Sequence, residues 1–144
     1  MIKFINVNEQ IRKMKILALS PHPDDVELGA GGFVLQALNN QCEVDIIYCL
    51  KEKEQTVEKN AASYQYNYSW LSTKRPEFTS IFIKKIDKIL YSKSYTHFLI
   101  PHLGDKHQDH KIVNSLGQAS ARKFKGVVLQ YEVSGYANEN HSFS

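Results

Sequence analysis

Long apolar runs are missing from this chain of 144 residues. No stretch reaches the roughly 18 apolar residues that would span a bilayer, so no transmembrane helix is expected. The N-terminus, Met1-Ile2-Lys3-Phe4-Ile5-Asn6-Val7-Asn8, lacks the apolar core and small-residue cleavage site of a secretory signal. A cytoplasmic protein is the expectation. Cysteine is scarce: only Cys42 and Cys49 are present, an odd number of positions apart in one predicted strand. They should point to opposite faces, neither bridging each other nor sharing a metal, and are expected as buried thiols. Charge is nearly balanced, at +3, with the lysines spread rather than striped. That gives no footprint for nucleic acid. A chain of this size suits one domain, taken as 1–144, burying roughly 70% of its unfolded surface.

What is present is a regular exchange of strand and helix patterns. Residues 1–13 read as a polar lead-in with a short helix over Val7–Lys13. Met14–Leu19 is almost continuously apolar, as in a central parallel strand covered on both faces. Val26–Asn39 follows as a helix with Leu28, Val34, Leu35 and Leu38 as its apolar positions. Gly29, Gly31 and Gly32 are costly there, which points to close approach of helix to strand or of backbone to ligand. Glu43–Leu50 is a second strand, and 51–60 a charged loop running into a short helix. Tyr64, Tyr66, Tyr68 and Trp70 alternate with polar residues and predict a half-buried strand ending near Ser72. Pro76 is expected to open an amphipathic helix with Phe78, Ile81, Phe82, Ile86, Ile89 and Leu90 on one side. Thr96–Ile100 is a strand, 107–123 a loop and helix, and Gly126–Glu132 a last strand. The fold class expected is α/β: a Rossmann-like, open, mostly parallel sheet with helices on both faces, short at its C-terminus. The Ser/Asn/Gly-rich tail, 134–144, stops where a further helix would cover the last strand. A minimal protein and a fragment both fit that pattern.

The chemistry-bearing residues cluster behind two of these strands. Ser20-Pro21-His22-Pro23-Asp24-Asp25 follows the first, and Pro101-His102-Leu103-Gly104-Asp105-Lys106-His107-Gln108-Asp109-His110 follows the fourth. The two prolines restrict the backbone around His22. Asp24 and Asp25 are adjacent, so their side chains diverge; one can bind a metal while the other faces an open coordination position. His107 and His110 share one side of a helix that begins near Gln108. Two imidazoles, a carboxylate and an open fourth position make a catalytic zinc set. Each cluster alone has a plainer reading, as a helix cap or as surface imidazoles at a helix start. Both standing behind strands in one short chain argues for a single site built from the pair. His97, inside a strand, reads as a packed residue. His141, in the tail, is given no role.

At these positions the chain resembles the LmbE-like, or PIG-L, zinc-dependent N-deacetylases. Of the family signature [AS]-H-P-D-D-x-x-x-G-x-G-G, His22-Pro23-Asp24-Asp25-Val26-Glu27-Leu28-Gly29-Ala30-Gly31-Gly32 matches every position but the first, where Pro21 stands, and D-x-H-x-D-H is matched by Asp105-Lys106-His107-Gln108-Asp109-His110. The resemblance implies Zn²⁺ held by His22, Asp25 and His110, and Asp24 as the general base. It implies His107 as the residue that stabilises the oxyanion or protonates the leaving amine, positioned by Asp109. It also implies removal of an acetyl group from an N-acetylglucosamine-type aminosugar or glycoconjugate as the small-molecule partner. Two departures stand out. The R-x-x-E helix usual between the second and third strands has no arginine counterpart in 52–63, and family members extend further at the C-terminus. A homo-oligomer that completes the pocket is one expectation from that shortness. A metal-dependent phosphoesterase and a carbohydrate-binding relic of the deacetylase fold are the competing readings. The first calls for two metals and more carboxylates than these clusters supply.

Overall fold

The computed structural model describes residues 13–133. Apart from Lys13, the expected lead-in and tail, with His141, lie outside the described residues. Five strands form one all-parallel sheet: β1 (Lys15–Ser20), β2 (Glu43–Leu50), β3 (Asn67–Ser72), β4 (His97–Pro101) and β5 (Val127–Tyr131). Four helices alternate with them: α1 (Asp25–Asn39), α2 (Glu54–Tyr64), α3 (Ser80–Leu90) and α4 (Gln108–Ser120), the last followed by a short 3₁₀ turn, Ala121–Lys123. The strands lie in the order β3-β2-β1-β4-β5. This is the Rossmann-like α/β architecture expected.

The apolar run of β1 sits at the centre because both its faces are covered. Ile16 and Ala18 face one core, with Val44, Ile46 and Tyr48 of β2 and Val26, Val34 and Ala37 of α1. Leu17 and Leu19 face the other, with Phe98 and Ile100 of β4, Ile86 and Leu90 of α3, and Val113 and Leu116 of α4. The period of two along a strand divides one hydrophobic run between two cores. It also divides the cysteines: Cys42 packs in the first core and Cys49 in the second.

The strand order places the site. From β1 the chain winds outward through β2 to β3, then returns to lay β4 on the other side of β1. The crevice beyond the carboxyl ends of β1 and β4 is therefore the topological switch point, where open α/β sheets take their ligands. Both His/Asp clusters leave their strands into that crevice.

Two elements begin several residues later than expected. Tyr64 belongs to α2, which ends in a left-handed Gln65 (φ 62°), so β3 starts only at Asn67. Pro76 does not open a helix: the Thr79 hydroxyl accepts the Phe82 N–H at 3.4 Å and α3 begins at Ser80. A side-chain cap fixed that start, leaving Pro76 buried in the extended lead-in. Of the three glycines, Gly29 alone meets a close neighbour. A Cβ there would lie 2.6 Å from the Tyr131 ring and 2.7 Å from the Glu132 carbonyl, whereas Gly31 and Gly32 face open space.

Candidate metal centre

The turn after β1 is tightly tied. Ser20 Oγ donates to the His22 carbonyl at 2.6 Å and accepts the Val26 N–H at 3.2 Å, while the Leu50 N–H donates to the Pro21 carbonyl at 3.2 Å. The His22 N–H donates to Asp25 Oδ2 at 2.8 Å, which folds the imidazole and the carboxylate toward each other. Opposite, Asn114 of α4 donates to the Pro101 carbonyl at 2.7 Å and fixes the exit of β4. His107 caps α4, its Nδ1 accepting the Asp109 N–H at 3.1 Å. His110 follows in the first turn, and the two rings lie 4.6 Å apart between centroids.

The clusters converge on Asp25. Its Oδ2 lies 3.1 Å from His22 Nδ1 and 3.2 Å from His110 Nε2. A tetrahedral zinc with bonds of about 2.0–2.1 Å spaces its ligands about 3.3–3.4 Å apart, near the two separations from Asp25 Oδ2, and all three donors lie within 4.8 Å of one another. The electrostatics agree. Burial would raise the Asp25 carboxyl, yet the neighbouring His110 and His22 hold it down at about 2. His22 is raised by its bond to Asp25, against burial and with help from Asp109. His110 is opposed by burial but raised by Asp25 and Asp105.

The remaining expected residues are placed as follows. Asp24 diverges from Asp25, as adjacency requires: its carboxylate points to Lys53 Nζ at 3.0 Å and its backbone is left-handed (φ 85°). The Asp109 carboxylate meets His22 Nε2 at 2.7 Å, while its backbone N–H reaches His107. His22, His107 and Asp109 form a second donor group within 4.8 Å, sharing His22 with the first. His107 is shifted down by burial and by the neighbouring His110 and His22. His97 bonds to Thr96 Oγ1 at 2.8 Å at the start of β4, the end of the strand opposite the site.

Four residues at the site were given no role from sequence. Asp105 is buried and bonds to His110 Nδ1 at 2.6 Å; it stands in the second motif, the signal that could have flagged it. Glu27 holds the Asp24 N–H through Oε2 at 3.2 Å. Its spacing three residues after Asp24 is the capping-box signal. Its carboxyl is raised by burial. Arg75, from the loop after β3, brings Nε to 3.9 Å from Asp109, and Lys53 precedes α2 with a left-handed backbone. Neither carries a motif. With His22, Pro23, Asp24, Asp25, Leu28, Leu50 and Glu52 they line an open cavity of about 350 Å³ over the centre.

No family model matches the chain, and no curated protein matches it. Solved structures do. The conserved protein TT1542 from Thermus thermophilus matches over 91% of this chain and 69% of its own, at 20% identity and a TM-score of 0.72. N,N'-diacetylchitobiose deacetylase from Pyrococcus horikoshii matches over 74% and 49%, at 21% identity and a TM-score of 0.65. A deacetylase of the teicoplanin biosynthetic pathway matches over 91% and 69%, at 14% identity and a TM-score of 0.72. The fold does not choose the reaction by itself. The 4-carboxy-2-hydroxymuconate hydratase GalB from Pseudomonas putida also matches, at 14% identity and a TM-score of 0.64, over 74% of this chain and 55% of its own. The chain thus spans between 49% and 69% of the length of these proteins.

Proposed function

We propose that this chain, which has the fold of the LmbE-like deacetylases, is a zinc-dependent hydrolase that removes an N-acetyl group from an aminosugar. The observation that carries the reading is Asp25 Oδ2 standing between His22 Nδ1 and His110 Nε2, donors from two strand ends far apart in sequence. These three residues would hold the ion. Bound there, zinc supplies a Lewis acid and lowers the pKa of a water to about 7.

The protein's own groups do the rest. Asp24, kept out of the ligand set by its divergence from Asp25, takes the proton of the attacking water. Lys53 pairs with that carboxylate. His107 lies beside the centre, its ring centroid 5.2 Å from that of His22, and its neutral form is favoured by burial. Its neutral ring donates a hydrogen bond to the charge that develops on the acyl oxygen, and the proton that Asp24 took from the water passes to the amine as it leaves. Water adds to the acetyl carbon, the C–N bond breaks, and acetate and a free amine result. Asp109 supports His22 through its carboxylate and His107 through its N–H. The substrate class rests on likeness to the deacetylases. The segment 52–63 holds no arginine, but Lys53 and Arg75 supply the cavity with cationic donors.

The test has two parts. Purified chain should hold one zinc, and His110→Ala should lose it. Zinc-loaded chain should release acetate from N-acetylglucosamine, diacetylchitobiose or their conjugates. Wild-type chain without divalent metal overturns the reading. Full zinc with no acetate from any of these compounds moves it to a hydration reaction, as in GalB, or to a binding relic.

A further inference from the structure

The His110 imidazole is fully buried, and both its nitrogens face carboxylates. Nε2 faces Asp25, and Nδ1 lies 2.6 Å from Asp105 Oδ2. Asp105 is itself buried, 1% exposed, and its second oxygen is also used: Oδ1 accepts the His107 N–H at 2.9 Å. Its own N–H donates to the His102 carbonyl at 3.2 Å, which holds the loop after β4 in a tight turn. One carboxylate thus joins the ring of one functional histidine to the backbone of the other. Two donors converge on it, one per oxygen.

We propose that Asp105 is a positioning residue for the metal centre: it fixes the proton of His110 on Nδ1, so that the Nε2 lone pair is turned toward the ion, and it sets the start of α4 so that His107 stands beside it. The proposal rests on the zinc reading above. The physical reason is that a neutral imidazole carries its proton on either nitrogen, and only one choice leaves Nε2 free to coordinate. A carboxylate behind the other nitrogen makes that choice and strengthens the ligand. Asp109 stands in the corresponding place behind His22, at Nε2. Asp105 differs in being shared, one oxygen each, between a ring and a backbone N–H.

Asparagine is the informative replacement because it keeps the shape and removes one acceptor. Its oxygen can serve His110 or the His107 N–H; whichever is left then faces an NH₂ group. Asp105→Asn should bind zinc about 10–100-fold more weakly than wild type in a chelator competition, the usual cost of losing such a partner. The long-range ¹H–¹⁵N spectrum of zinc-loaded wild type should show the His110 proton on Nδ1. A proton on Nε2, or Asp105→Asn chain that binds zinc within about twofold of wild type, overturns the proposal. Where Asp105→Asn does not fold, the wild-type spectrum decides. Wild-type chain that binds no zinc instead overturns the metal reading, and the role of Asp105 falls with it.

Discussion

Asp24 holds a left-handed backbone, with φ of 85°, directly before the first turn of α1. Such a conformation costs a residue with a side chain about 1 kcal/mol or more and tends to persist where surrounding bonds over-determine it. Here the Glu27 carboxylate accepts the Asp24 N–H, and Tyr48 donates to the same Glu27 oxygen at 3.3 Å. The strain turns the Asp24 carboxylate away from Asp25 and into the cavity. Asp24→Asn should therefore keep its zinc and lose about 10²–10⁴ in rate, the size of a general-base contribution. Loss of zinc in step with activity would place Asp24 among the ligands. His107→Ala should lower kcat with little change in KM, as for an interaction made mainly in the transition state. An unchanged kcat would remove His107 from the chemistry.

Among the elements, α1 comes into close contact with the β5 end at Gly29. Gly29 lies against the Tyr131 ring and the Glu132 carbonyl, while a Cβ added at Gly31 or Gly32 would have nothing within 4 Å. Gly29→Ala should cost about 1–3 kcal/mol, since the backbone carbonyl it would strike cannot yield as a side chain can. Gly32→Ala should be neutral or stabilising by up to about 1 kcal/mol, the gain of alanine over glycine inside a helix. Urea melts of the two variants separate these outcomes. Equal effects would mean that helix propensity, not the approach to β5, governs this segment.

For the molecule as a unit, the buried protons set the response to base. Tyr95 is raised by burial and by its bond to Asp45, Tyr48 by burial and by Glu27 and Tyr66, and Cys49 by burial and by the charges of Asp25 and Asp109. Each keeps its proton in the folded state above the pH at which the unfolded chain releases it. Their stabilisation is complete below the unfolded values, about 9 for the thiol and 10 for the phenols, and is lost as pH rises beyond them. Tm should fall above about pH 9. Tyr95→Phe should flatten the limb above pH 10, at about 1 kcal/mol of stability at neutral pH for the lost bond to Asp45. An unchanged alkaline limb in that variant would exclude Tyr95 as a contributor. Zinc should act oppositely, stabilising the chain by about 2.7 kcal/mol at a hundredfold excess over its Kd.

Local pattern was enough to settle the period of most main elements and the kinds of side chain at two strand ends. The apolar run Ile16–Leu19 is a central strand because alternate residues serve two cores, and that pattern is written in consecutive residues. The kinds of donor behind β1 and β4, imidazoles and carboxylates, were legible for the same reason, whereas the choice of His22, Asp25 and His110 as ligands came from the family resemblance. Boundaries were less legible where a cap or a left-handed residue, as at Thr79 and Gln65, decided them against a stronger-looking signal. Which carboxylate serves which imidazole was settled by the folded arrangement alone. Asp109 is two residues from His107 in sequence, yet its side chain meets His22, and Asp105 reaches past His107 to His110. Those pairings depend on the crossover that sets β4 beside β1, and on the angle at which α4 leaves it. Neither is encoded in any single segment, because both arise from packing two cores against one sheet.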